Sequence, residues 1–237
     1  MSQFQSKNVL VLGGSRGIGA AIVRRFAAAG AHVTFTYAGS ADAAGTLAEQ
    51  TGAKAVRADS ALREDTVRAV RDAGPLDILV VNAGIAVFGD PLQTDPDAID
   101  RMIDINVRSP YHATVEAART MNDNGRVIVI GSVNGDRMPI QGGAGYGLTK
   151  AALQGMARGF ARDFGPRGIT VNVVQPGPVD TDMNPAEGPF AELIMPAMAI
   201  RRYATADEIA AMVAYLASAD AAMVTGAMHT IDGGFGA

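Results

Sequence analysis

The chain has 237 residues, nearly half of them hydrophobic, and no cysteine. A core of that size suits one large α/β domain or two small ones, and the missing thiols exclude disulfides, thiolate metal sites and a cysteine nucleophile. Twenty basic side chains against 24 acidic ones argue against nucleic acid as the main partner, while leaving room for a small anion at a local basic spot. His32, His112 and His229 show no ligand spacing and read as packing or surface residues, so no metal is expected. An apolar run begins by Val9, which leaves no room for a signal peptide, and no run approaches the roughly 18 residues of a membrane span. The expected setting is the cytoplasm.

In chain order, Val9-Leu10-Val11-Leu12 predicts a strand and Ala20 to Ala27 a helix, with Gly13-Gly14-Ser15-Arg16-Gly17-Ile18-Gly19 between them. A glycine turn feeding a helix aims free N–H groups and the positive end of the helix dipole at one spot, which suits a pyrophosphate. Further strands are predicted at 31–37, 53–58, 76–81, 126–130, 170–174 and 230–231. Helices are predicted at 41–51, 64–72, 97–107, 111–121, 145–164 and 207–217, the last with Thr205 and Glu208 as a capping box. Strand and helix alternate, and the strands are continuously apolar. That pattern predicts a single-domain α/β fold over residues 1–237, a doubly wound parallel sheet of the Rossmann type with helices on both faces.

Ligands in such sheets sit beyond the carboxyl ends of the strands. Gly13, Tyr37, Asp59, Asn82, Ser132 and Gln175 stand at those ends and should ring one crevice. Residues 180–200 carry three prolines and three methionines, an interrupted stretch that reads as a flap over it at about 182–200; a bland insertion is the alternative. Met183, Phe190, Leu193, Ile194, Met195 and Met198 would give that flap an apolar inner surface, unless several merely pack it onto the core.

Where NAD-type sites place an acid after the second strand, this chain reads Thr36-Tyr37-Ala38-Gly39-Ser40. Arg16, Ser40 and backbone N–H groups would instead suit a 2′-phosphate, so NADP(H) is the expected cofactor; a solvated Arg16 is the alternative. Asp59 and Ser60 are placed for the adenine, and Asn82-Ala83-Gly84 for the ribose. Tyr146 and Lys150 lie one helical turn apart. An ammonium beside the phenol would lower its pKa and fit it to exchange a proton with an alcohol or carbonyl, with Ser132 donating to the same oxygen.

These residues, together with Pro176-Gly177-Pro178-Val179-x-Thr181 and the closing Thr225-Gly226 to Asp232-Gly233, resemble the short-chain dehydrogenase/reductase family along nearly the whole chain. The resemblance implies a catalytic tetrad of Asn106, Ser132, Tyr146 and Lys150. In it, Asn106 holds a water that links Lys150 to solvent. It implies a nicotinamide seat at Pro176, Gly177, Val179 and Thr181, a small carbonyl substrate and a homotetramer paired through long helices. Leu12 stands where the family usually has a Thr that ties the turn to the neighbouring strand. Ser132 and Tyr146 are 14 residues apart, one more than is common. Phe35 to Ser40, Gly131 to Pro139, Gln154 to Arg158 and Gly226 to Gly233 resemble a bacterial branch of the family described as binding cyclic-di-GMP. That implies an alternative role, sequestering the dinucleotide to promote biofilm dispersal, with Arg16 and Arg137 compatible with its phosphates.

Overall fold

The computed structural model describes residues 3–237, apart from the side chains of Pro189 and Phe190. Seven parallel strands form one sheet in the order β3-β2-β1-β4-β5-β6-β7. They are β1 (Asn8–Leu12), β2 (His32–Tyr37), β3 (Lys54–Arg57), β4 (Ile78–Val81), β5 (Arg126–Ile130), β6 (Thr170–Pro176) and β7 (Met228–Ile231). The order reverses between β1 and β4, which pair in register from Val9↔Ile78 to Leu12↔Val81. At such a switch point the loops diverge to opposite faces and leave a crevice.

Successive strand residues point to opposite faces, and here both faces are covered. Val9, Val11, Phe35, Val80 and Ile128 pack under α1 (Gly17–Ala28), α2 (Ala41–Thr51) and α8 (Ala206–Ala217). Leu10, Leu12, Leu79, Val129 and Val173 pack under α3 (Arg63–Asp72), α5 (Ser109–Thr120) and α6 (Ala144–Phe164). Helix α8 begins with the expected capping box: Thr205 accepts from Glu208 N, and the Glu208 carboxylate accepts from Thr205 N.

The two helices expected at 97–107 and 111–121 form one rod. Helix α4 (Pro96–Ile103) passes through a π turn (Asp104–Arg108) into α5. Pro110 has no N–H to give, and the wider turn ahead of it, in which Ser109 N reaches Asp104 O, shifts the bonding register across that point.

The stretch 182–200 holds the short helix α7 (Pro189–Ile194). Ala191 and Met198, with Ile194 and Met195 beside them, build a small satellite core with Tyr203 and Phe235. Leu193 is exposed. Among the described side chains expected to face the crevice, Met183 does so, and the others pack or face solvent because α7 supplies its own core; Phe190 lies outside the described side chains. No helix among the described residues is long and apolar enough to cross a membrane.

Candidate active site

A crevice of about 630 Å³ opens beyond the carboxyl ends of β1, β2, β4 and β5. Its floor is the glycine turn. Gly13 has φ +78°, and a side chain there would meet the Ala83 backbone at 2.7 Å. Gly19 lies behind the turn rather than in the crevice: a Cβ would come within 2.2 Å of Gly13 O. Its missing side chain brings α1 against the turn, so the free N–H end of that helix faces the crevice. No acidic residue occupies the first turn of α1 to neutralise that end. These are the features a pyrophosphate needs.

Leu12 is buried in the core, and two other side chains tie the turn in place of the absent threonine. Thr36 Oγ1 accepts from Gly13 N at 3.0 Å, and Asn82 Nδ2 donates to Gly13 O at 2.6 Å. Thr36 is a missed residue of the site, and its place on the neighbouring strand is what a turn-tying hydroxyl requires.

Ser15, Arg16, Gly17, Ile18 and the run Tyr37-Ala38-Gly39-Ser40 line one end of the crevice. Ser40 stands at the N-cap of α2 without spending its hydroxyl there. Arg16 Nη1 lies 3.8 Å from Asp182 Oδ2, with both groups exposed, a pairing weak enough to yield to a phosphate. Asp59 and Ser60 line the crevice beside Arg101, whose Nη2 donates to Asp59 Oδ2 at 3.2 Å. Nothing local in the sequence marks Arg101; the packing of α4 brings it there. Asn82, Ala83 and Gly84 lie along the middle, and Pro176, Gly177, Val179 and Thr181 line the far wall. Gln175 departs from expectation: it is fully buried, does not line the crevice, and turns to Asp136 instead.

Ser132, Tyr146 and Lys150 meet at the mouth. The loop between Ser132 and Tyr146 is pinned before α6 by Gly89 N donating to Gly142 O at 3.1 Å. The Ser132 hydroxyl still lies near enough to the Tyr146 phenol to lower its pKa. Ser132 Oγ accepts from Asn134 N at 3.2 Å, which leaves its O–H free to donate forward. Lys150 Nζ donates to Ile130 O at 3.1 Å and lies 5.6 Å from the centroid of the Tyr146 ring. Phe88 leans on the same ring from the loop after β4.

The electrostatics correct one expectation. Burial pushes the Tyr146 phenol up from its ordinary value, opposed by the neighbouring Ser132 hydroxyl, so its shift is upward and not downward. Burial acts on the lysine too and lowers it to about 8, so the ammonium is itself easily discharged.

Asn106 does not line the crevice. Held in the π turn, it accepts from Ile85 N at 2.9 Å and donates to Ile85 O at 2.8 Å and Thr149 Oγ1 at 3.1 Å. A Cβ on Gly84 would lie 3.4 Å from Asn106 Oδ1 and 3.5 Å from Lys150 Nζ, so that glycine separates the two.

Sheet order, glycine turn and hydroxyl–phenol–amine cluster together define a dinucleotide-type α/β oxidoreductase. A family described as Enoyl-(Acyl carrier protein) reductase matches residues 13–236, and the chain belongs to it, within the short-chain dehydrogenases/reductases. Among particular relatives, the chain is 63% identical to the cyclic-di-GMP-binding biofilm dispersal mediator protein of Escherichia coli (strain K12), over all of both sequences. It is 36% identical to the 3-oxoacyl-[acyl-carrier-protein] reductase MabA of Mycobacterium tuberculosis, covering 98% of this chain and 94% of that one. The crystal structure of BdcA in complex with NADPH superposes with a TM-score of 0.98 at 63% identity, covering 99% of this chain and 96% of the other.

Proposed function

We propose that this chain is an NADP(H)-dependent oxidoreductase that reduces a small ketone or aldehyde. The observation that carries this reading is the convergence of Ser132, Tyr146 and Lys150 on the mouth of one glycine-floored crevice. With its pyrophosphate at the α1 end, a reduced nicotinamide would supply hydride to the carbonyl carbon. Arg16, Ser40 and the Tyr37-Ala38-Gly39 backbone would hold the 2′-phosphate, Asp59 and Ser60 the adenine, Asn82 to Gly84 the ribose, and Pro176, Gly177, Val179 and Thr181 the nicotinamide. The flap at 182–200 would cover the substrate through Met183.

The protein's own part is to hold the carbonyl oxygen and protonate it. Ser132 donates its free O–H to that oxygen. Tyr146, kept protonated by burial, gives up its proton as negative charge develops there. Lys150, a buried amine that discharges near neutral pH, restores the proton to Tyr146. Asn106, across Gly84, positions the water through which Lys150 is recharged.

NADPH oxidation with a panel of carbonyl compounds tests this. Tyr146→Phe should lower kcat about 10²- to 10⁴-fold with NADPH binding retained. Unaltered turnover in that variant would remove Tyr146 from the mechanism.

A second reading is favoured by full-length identity to a protein named for cyclic-di-GMP binding. Here the same crevice takes that dinucleotide, and its occupancy links dinucleotide level to biofilm dispersal. Calorimetry with cyclic-di-GMP, with and without NADPH, tests it, and an absence of heat at high concentration counts heavily against it. A homotetramer paired through α5 and α6 fits the half-exposed Tyr111, which rests on Phe160, itself stacked on Phe164. Sedimentation velocity measures that state.

A further inference from the structure

The turn that carries Ser132 is held from behind by one carboxylate. Gly135 lies against the backbone of Lys150: a Cβ there would come within 3.0 Å of Lys150 C and O. Asp136 follows. Its Oδ1 accepts from Gln154 Nε2 at 2.6 Å, and its Oδ2 accepts from Gln175 Nε2 at 2.5 Å. Gln154 lies one turn beyond Lys150 on α6, and Gln175 is the fully buried residue before Pro176 and Gly177. One side chain thus ties together the Ser132 turn, the helix of Tyr146 and Lys150, and the strand end that lines the far wall. Gln175 Oε1 is buried without a partner among the described residues, so the amide takes its orientation from Asp136 alone.

The outer side of the turn is held separately. Arg137 Nη1 donates to Ala237 O at 3.2 Å and to Gly236 O at 3.5 Å, and Gly236 packs against Val133. The guanidinium is directed to those oxygens, and the hydrogen bonds to the Asp136 carboxylate come from two neutral amides. The two glutamines address different carboxylate oxygens, and an asparagine would put an N–H donor in place of one of them.

We propose that Asp136 is a positioning residue for the reaction: by bridging Gln154 and Gln175 it fixes the Ser132 turn beside Tyr146 in the crevice. The inference rests on the reductase reading for its kinetic consequence and stands apart from it for its structural one. Among the described residues, the charged group facing the phenol is Lys150 on its own helix; Ser132 adds a neutral hydroxyl, and the loop after β4 adds the Phe88 ring. Gln154→Ala loosens the Ser132 turn and leaves every charge around the phenol in place, whereas Asp136→Asn also removes the Asp136 charge.

The experiment uses the full-length protein labelled with ¹³C at the tyrosine ring carbon bearing oxygen, with the Tyr146 resonance assigned by its loss in Tyr146→Phe. Asp136→Asn should move that resonance in the same direction as Ser132→Ala. It should also lower kcat about tenfold or more while KM for NADPH stays within about twofold, since a misplaced donor impairs the chemical step and not cofactor binding. If Asp136→Asn fails to fold by circular dichroism, Gln154→Ala removes one arm of the bridge and should give a smaller shift of the same sign. A wild-type resonance and kcat in a folded bridge variant would overturn the proposal. If the wild-type protein reduces no carbonyl, the reductase reading falls, and the resonance still decides the role of Asp136.

Discussion

At Arg16, a basic side chain in the turn meets a helix end with no acid in its first turn. Charge-assisted bonds to a phosphate contribute about 1.5–3 kcal/mol. Arg16→Ala should therefore weaken NADPH about ten- to a hundredfold in a fluorescence titration and leave NADH nearly unchanged. Lys150 presents the opposite balance, a base buried at a cost. Its folded pKa of about 8 lies below the ordinary 10.5, so the unfolded chain binds the proton more readily. That penalty is full below about pH 8 and vanishes as pH rises toward 10.5. Lys150→Met should remove it, less the loss of the bond to Ile130 O. The expected result is a protein that does not turn over and is more stable by about 1–2 kcal/mol at pH 7, the gain fading above pH 8 in denaturant melts.

Elements meet this closely only where side chains are missing or matched. Helix α1 reaches the turn because Gly19 is bare. Gly19→Ala would force a methyl into Gly13 O and Asn82 Nδ2, and backbone cannot yield as a flexible side chain does. A loss of about 2 kcal/mol or more in stability is expected, and NADPH binding should fall with it because the helix end backs away. Chemical denaturation and calorimetry on the one variant read both. The rod of α4 and α5 shows the same economy: its π turn leads into Pro110 and holds Asn106 across Gly84 from Lys150 in one local departure from α geometry.

For the whole molecule, a ligand that fills the crevice binds the folded state only, so stability should rise with its concentration. At a hundredfold excess over Kd, NADPH should add about 2.7 kcal/mol to unfolding. If cyclic-di-GMP uses the same crevice, its apparent Kd should climb in proportion to NADPH. A constant value would put it elsewhere on the protein.

Much of this was legible in the letters. Continuous apolar strands between helices imply a buried parallel sheet, and glycines between the first strand and helix imply a phosphate seat, because both depend on short-range sterics and on which surface must leave water. The Tyr146–Lys150 spacing is a helix property and needs no partner. The sequence could not say that Gln175 turns from the crevice to Asp136, that Thr36 replaces the hydroxyl missing at Leu12, or that Arg101 reaches Asp59. Nor could it give the sign of the Tyr146 shift. Those depend on distances between residues far apart in the chain and on how deeply the packed sheet and helices bury each group, quantities that exist only once the chain has closed on itself.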